Sequence, residues 1–207
     1  MDDKDLHERL YIASRDGEDT LVRELLEAGA DPHQFRVCWF GDYALHKAAE
    51  NGHHTVVRTL LGAGVDVNKV NYSGGTALYG AASNGHHQVL RTIIEAGAEV
   101  NKQNNVGETA LHSAAYNGHA DMVKTLIEAK VDVNIQNKRN GLTSLHMAAY
   151  MGRREVVISL MEGGANPYIP DMRGFTPMQL AKDEIARFYY IFRVLVVYCS
   201  SQCYEEL

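Results

Sequence analysis

Proline, cysteine and basic charge are all in short supply in this chain, which has four prolines and three cysteines in 207 residues and 20 Lys+Arg against 26 Asp+Glu. The net charge of -6 repels a phosphate backbone and leaves no electrostatic footprint for DNA or RNA, so nucleic acid is not expected as a partner. Three cysteines, Cys38, Cys199 and Cys203, are too few and too unevenly spaced for a disulfide framework, and the pair at 199 and 203 supplies only two of the ligands a zinc site needs. The acidic opening Met1-Asp2-Asp3-Lys4-Asp5 has neither a cationic n-region nor an apolar h-region. A reducing compartment, cytoplasm or nucleus, is the expected location. The longest apolar stretch, Ile185 to Cys199, is interrupted by Arg187 and Arg193 and falls short of the ~20 residues of a spanning helix, so membrane insertion is not expected. Catalytic signatures are missing as well: there is no Gly-x-x-x-x-Gly-Lys-Ser/Thr, no His-Glu-x-x-His and no Gly-x-Ser-x-Gly. The expectation is a protein that is not an enzyme and carries no metal or cofactor. With 45% apolar and 22% charged residues, the chain still has the composition of a folded domain.

What the chain has in abundance is self-similarity. Ala-Leu-His-Lys-Ala-Ala at 44–49 recurs as Ala-Leu-Tyr-Gly-Ala-Ala at 77–82, Ala-Leu-His-Ser-Ala-Ala at 110–115 and Ser-Leu-His-Met-Ala-Ala at 144–149, so that His46, Tyr79, His112 and His146 are spaced by 33, 33 and 34. Gly52, Gly85, Gly118 and Gly152 follow in step, and Asn68, Asn101 and Asn134 close Asp/Glu-Val-Asn motifs at the same period. Independent markers that hold one phase identify a repeat architecture.

Each unit encodes two helices and a loop. Val56, Val57, Leu60 and Leu61 form one stripe of a 3.6-residue period, repeated by Val89/Leu90/Ile93/Ile94, Met122/Val123/Leu126/Ile127 and Val156/Val157/Leu160/Met161. The preceding Leu-His-x-Ala-Ala segment predicts a short first helix whose alanines let a neighbour approach closely. Glycine makes the turn between the two helices, and Gly64 with its equivalents ends the second in a left-handed conformation. Asn71-Tyr72-Ser73-Gly74 then carries turn signals for a projecting loop.

These motifs resemble the ankyrin repeat pattern, Asp-x-x-Gly-x-Thr-Pro-Leu-His-x-Ala-Ala-x-x-Gly-His followed by an apolar helix and Gly-Ala-Asp-Val-Asn. The resemblance implies an all-α solenoid of about six stacked helix–turn–helix units with projecting hairpin loops, near 6–37, 38–70, 71–103, 104–137, 138–170 and 171–187. The array covers residues 1–187, and 188–207 form an apolar tail, a candidate capping helix or self-association surface. Two fingers are lengthened: His33 to Gly41 is two residues longer than Asn68 to Gly74, and Asn134 to Gly141 is one longer.

The resemblance also assigns roles. His46, His112 and His146 are expected to hydrogen-bond a neighbouring turn, and His53, His54, His86, His87 and His119 to lie at the surface or between repeats. Asn68, Asn101 and Asn134, each preceded by Val and with Leu60, Ile93 or Leu126 eight residues upstream, resemble the asparagines hydroxylated in some ankyrin repeats, with a structural role in the finger as their main expectation. The positions free to vary in the family pattern supply the candidate protein-binding surface. In the fingers these are Trp39, Phe40, Asp42, Tyr72, Ser73, Asn105, Val106, Arg139, Asn140, Met172 and Arg173. On the first helices they are Glu50, Asn51, Tyr116, Asn117, Tyr150 and Met151. The implied function is a scaffold or adaptor that binds one or more proteins on its finger and first-helix face. The alternative is a targeting or regulatory subunit of a larger complex such as a ubiquitin ligase, kinase or phosphatase.

Overall fold

The computed structural model describes residues 3–33 and 42–181, with side chains from Leu6 onward. Among the described residues there are eleven helices and no strand: α1 (Asp3–Asp16), α2 (Asp19–Glu27), α3 (Ala44–Glu50), α4 (His54–Gly62), α5 (Ala77–Asn84), α6 (His87–Glu95), α7 (Ala110–Asn117), α8 (Ala120–Glu128), α9 (Ser144–Tyr150), α10 (Arg154–Glu162) and α11 (Pro177–Leu180). Odd-numbered helices stack on one another from α1 to α11, and even-numbered helices stack from α2 to α10. Five helix hairpins and the first helix of a further one are thus laid side by side. Trp39, Phe40, all three cysteines and the apolar tail lie outside the described residues.

The packing follows from the stripes. Val56, Val57 and Leu60 of α4, Val89, Leu90 and Ile93 of α6, Met122, Val123 and Leu126 of α8, and Val156, Val157 and Leu160 of α10 are all buried, at 2% exposure or less. On the inner row Ala48/Ala49, Ala81/Ala82, Ala114/Ala115 and Ala148/Ala149 are fully enclosed, which lets each inner helix sit close to the next. One continuous apolar cluster runs from Leu6 to Ala181. No hairpin buries its own stripe, so each unit is folded by its neighbours.

Left-handed turns punctuate the array where the motifs place glycine. Gly118, φ +89°, caps α7, and Gly29, Gly64, Gly97 and Gly164 hold φ between +84° and +91° after the outer helices. The fourth outer helix breaks the pattern, because the equivalent position is Lys130 at φ +62°. A Cβ in that region costs about 1–2 kcal/mol. Lys130 is exposed, so Lys130→Gly removes the strain without removing packing. It is expected to raise stability by about 1 kcal/mol, read as an upward shift of the urea midpoint; an unchanged or lowered midpoint contradicts the assignment.

Candidate functional site

The functional geometry is organised by the fingers between successive hairpins. In the four fingers among the described residues an Asn or Asp side chain folds the loop onto itself. Asn71 Oδ1 accepts the backbone N–H of Ser73 and Gly75 at 3.1 and 2.8 Å, Asn104 Oδ1 those of Val106 and Glu108 at 3.1 and 2.9 Å, Asn137 Oδ1 those of Asn140 and Leu142 at 3.2 Å each, and Asp171 Oδ1 those of Arg173 and Phe175 at 2.8 and 2.9 Å. Backbone bonds then tie finger to finger: Asn105 N–H to Ser73 O and Lys138 N–H to Val106 O, both 2.9 Å, and Met172 N–H to Asn140 O, 3.0 Å. The lengthened fourth finger thus keeps its place in the ladder.

Histidines lock these fingers to the inner helices. The Nδ1 atoms of His112 and His146 accept the backbone N–H of Thr109 and Thr143 at 3.2 and 3.1 Å, and that of His46 accepts from Tyr43 at 3.4 Å. Their Nε2–H groups donate into the next unit, to Gly75 O at 3.0 Å, Leu142 O at 3.1 Å and Phe175 O at 3.1 Å. A backbone N–H can only donate and a carbonyl can only accept, so each imidazole is fixed as the neutral Nε2–H tautomer. Burial pushes all three below the ordinary histidine range, opposed by the carbonyls they bond and by the nearby carboxylates Asp42, Glu108 and Asp171 respectively.

His53, His54, His86, His87 and His119, expected at the surface or between repeats, are inter-repeat ties. His53 donates to Arg15 O, His86 to Glu50 O and His119 to Ser83 O, at 2.8, 2.9 and 3.2 Å, and Arg153 Nε takes over this role at Tyr116 O. Each therefore caps a C-terminal carbonyl of the inner helix in the preceding unit. His54 and His87 meet Thr92 and Thr125 on the next outer helix at 2.9 and 2.8 Å. Among the described residues no group of three His, Cys, Asp or Glu could hold a metal ion, and no described helix is long and apolar enough to cross a membrane.

Asn68, Asn101 and Asn134 also work between units. Their Oδ1 atoms accept the N–H of Glu99, Asp132 and Asn166 at 2.7, 2.8 and 2.7 Å. Leu60, Ile93 and Leu126, eight residues upstream, are fully buried.

The candidate contact residues separate into two groups. Several are engaged in holding the array: Asp42 is 5% exposed, with Oδ1 accepting from Asn71 Nδ2 at 2.8 Å and Oδ2 paired with Lys47 at 3.1 Å, and differs in this from the open surface position the family pattern implies. Glu50 pairs with the same Lys47. Asn51 and Asn117 donate back to Arg15 O and Ser83 O at 2.8 and 3.0 Å. Asn105 donates to Tyr72 O, and the Ser73 hydroxyl to Asn71. Arg173 pairs with Asp171 and stacks over Phe175. The second group lies at the surface. Tyr72, Val106, Tyr116, Tyr150 and Met172 are exposed apolar side chains, Arg139 is exposed, and Met151 is half-buried.

Tyr116, Asn117, Arg139, Asn140 and Tyr150 converge on a cavity of about 460 Å³ between α5, α7, α9 and the third and fourth fingers. A second hollow of about 250 Å³ lies between α3 and α5 and includes Asp42, Lys47, Glu50 and Ser73; it shares Tyr79 and Ser83 with the first, so the two form one groove. Several residues lining the first hollow, Tyr79, Glu108 and Met147 among them, lie outside the candidate contact surface. Tyr79 stands in the histidine register, and its longer side chain reaches the Glu108 carboxylate of the next unit at 3.1 Å, where the histidines reach a carbonyl. That substitution is visible as a break inside the His46/His112/His146 series, and it is the signal that could have found Glu108.

Residues 10–104 and 97–171 match the family model of ankyrin repeats (3 copies). No curated protein is significantly similar to the chain. Ankyrin repeats are in general protein–protein interaction modules. The matched segments, which lie over the finger ladder, the histidine locks and both helix rows, make this chain a member of the ankyrin repeat family.

Proposed function

We propose that the chain binds a protein partner along the groove formed by its fingers and inner helices, and that Tyr116 and Tyr150 are the principal anchors. The observation that carries this is the convergence of two exposed tyrosines and an exposed arginine on a 460 Å³ hollow in a scaffold whose cluster of buried apolar residues uses none of the three. Tyrosine and arginine dominate interface energetics because they combine large contact area with directed hydrogen bonding. Tyr72, Val106 and Met172 extend the same surface along the finger tips, and Asn105, Asn140 and Arg173 supply its polar rim.

The test uses a partner recovered by affinity purification and identified by mass spectrometry. Tyr116→Ala together with Tyr150→Ala is expected to weaken its binding by about 2 kcal/mol or more, roughly thirty-fold, while leaving the melting temperature nearly unchanged. Unchanged binding, or a loss of stability comparable to that from a core substitution, overturns the assignment.

A further inference from the structure

The larger cavity of the groove is lined by a carboxylate, Glu108, among three tyrosines. Three of its donors are committed within the protein: the Tyr79 hydroxyl to Glu108 Oε2, His112 Nε2–H to Leu142 O, and the Asn117 amide to Ser83 O. Its carboxylate is not matched in the same way. The Glu108 carboxylate forms no ion pair among the described residues and takes only the Tyr79 hydroxyl, a neutral donor. Tyr79, Tyr116 and Tyr150 also belong to the lining, and aromatic rings attract cations.

We infer that this cavity receives a single basic side chain, lysine or arginine, from an extended segment of the partner, with Glu108 as its counter-charge and the tyrosines as its walls. The inference rests on the groove reading above and deepens it by naming the anchor. Arg139 belongs to the same lining and is exposed, yet it forms no ion pair with Glu108. It therefore leaves the floor charge uncompensated while repelling a second cation at the entrance. The segment that fits carries one basic residue with neutral or acidic neighbours, not a polybasic run.

Peptides selected from a displayed random library on the full chain test this directly. The selected sequences are expected to share one Lys or Arg. Replacing that residue by a neutral isostere, citrulline for arginine, or making Glu108→Gln in the protein, is expected to weaken binding about tenfold, the loss of a charge-assisted hydrogen bond. Glutamine keeps an acceptor for Tyr79, so the melting temperature should hold. Peptides without a basic residue, or with affinities indifferent to Glu108→Gln, overturn the inference; if the Tyr116→Ala/Tyr150→Ala variant still abolishes their binding, the groove reading survives. A selection that yields no peptide dependent on either set of residues overturns both.

Discussion

Replacing Leu126 by alanine should destabilise the chain by about 2–5 kcal/mol, against less than about 0.5 kcal/mol for Lys124→Ala two residues away on the same helix. Leu126 is completely buried in α8, whereas Lys124 is exposed. The expected size comes from position as well as burial. The helix lies between α6 and α10 in the outer row, so a cavity there weakens two interfaces at once, and in a one-dimensional array the interfaces, not the isolated units, carry the stability. Urea unfolding of the two variants decides it. Similar midpoints for both would show that the outer helices do not form a shared core.

Period and phase were legible in the sequence because stacking imposes them on every unit. Leu60, Ile93, Leu126 and Leu160 occupy the same wall position, and the residue after Thr or Tyr at the start of α3, α5, α7 and α9 is a buried Ala or Ser. The finger ladder was legible only as turn chemistry. Nothing in Asn71-Tyr72-Ser73-Gly74 states that its neighbour's N–H will reach Ser73 O, because that bond depends on two units 33 residues apart being set side by side. Variable positions were the least legible. Family pattern marks Asp42, Asn51, Asn117 and Tyr116 alike as free of the core, yet short amide and carboxylate side chains reach backbone groups of the adjacent unit and are used up there. The tyrosine hydroxyl lies too far from its own Cα to find the same partners, so Tyr116 projects. Glu108 escaped notice for the opposite reason: its importance follows from Tyr79 in another unit, and pair relations across units are not contained in a one-unit pattern.

Acidification should unfold this protein more steeply than its carboxylates alone would predict, with the loss beginning near pH 6.5. His46, His112 and His146 are buried, neutral and accept an N–H at Nδ1, and their folded-state pKa values are lowered. The sign follows from linkage. Above about 6.5, the unfolded value, neither state takes up a proton and the full contribution is present; as pH falls below it the unfolded chain protonates first, and stability is lost until the folded pKa values are passed. Protonating Nδ1 in the folded state breaks its bond to the helix N-terminus and places a cation in a dry site. With three such groups the slope reaches at most about 4 kcal/mol per pH unit, three times the value for one proton. Asp171 adds its own loss at lower pH. Burial opposes its charge, but the N–H groups of Phe175 and Arg173 and the Arg173 guanidinium outweigh this and hold it below the usual carboxylate range. The sixth inner helix shows how to separate these contributions. There Gln179 Oε1 accepts the Thr176 N–H at 2.8 Å, in the register held by His46, His112 and His146. A variant carrying His46→Gln, His112→Gln and His146→Gln keeps an acceptor at each helix start and cannot titrate. Its denaturation midpoint should therefore be lower than wild type at pH 7.5, for want of the long donor to the next unit, but nearly flat between pH 7.5 and 5.5. A wild-type midpoint equally flat across that range, or a variant as pH-dependent as wild type, would show that the histidine locks do not govern the stability of the array.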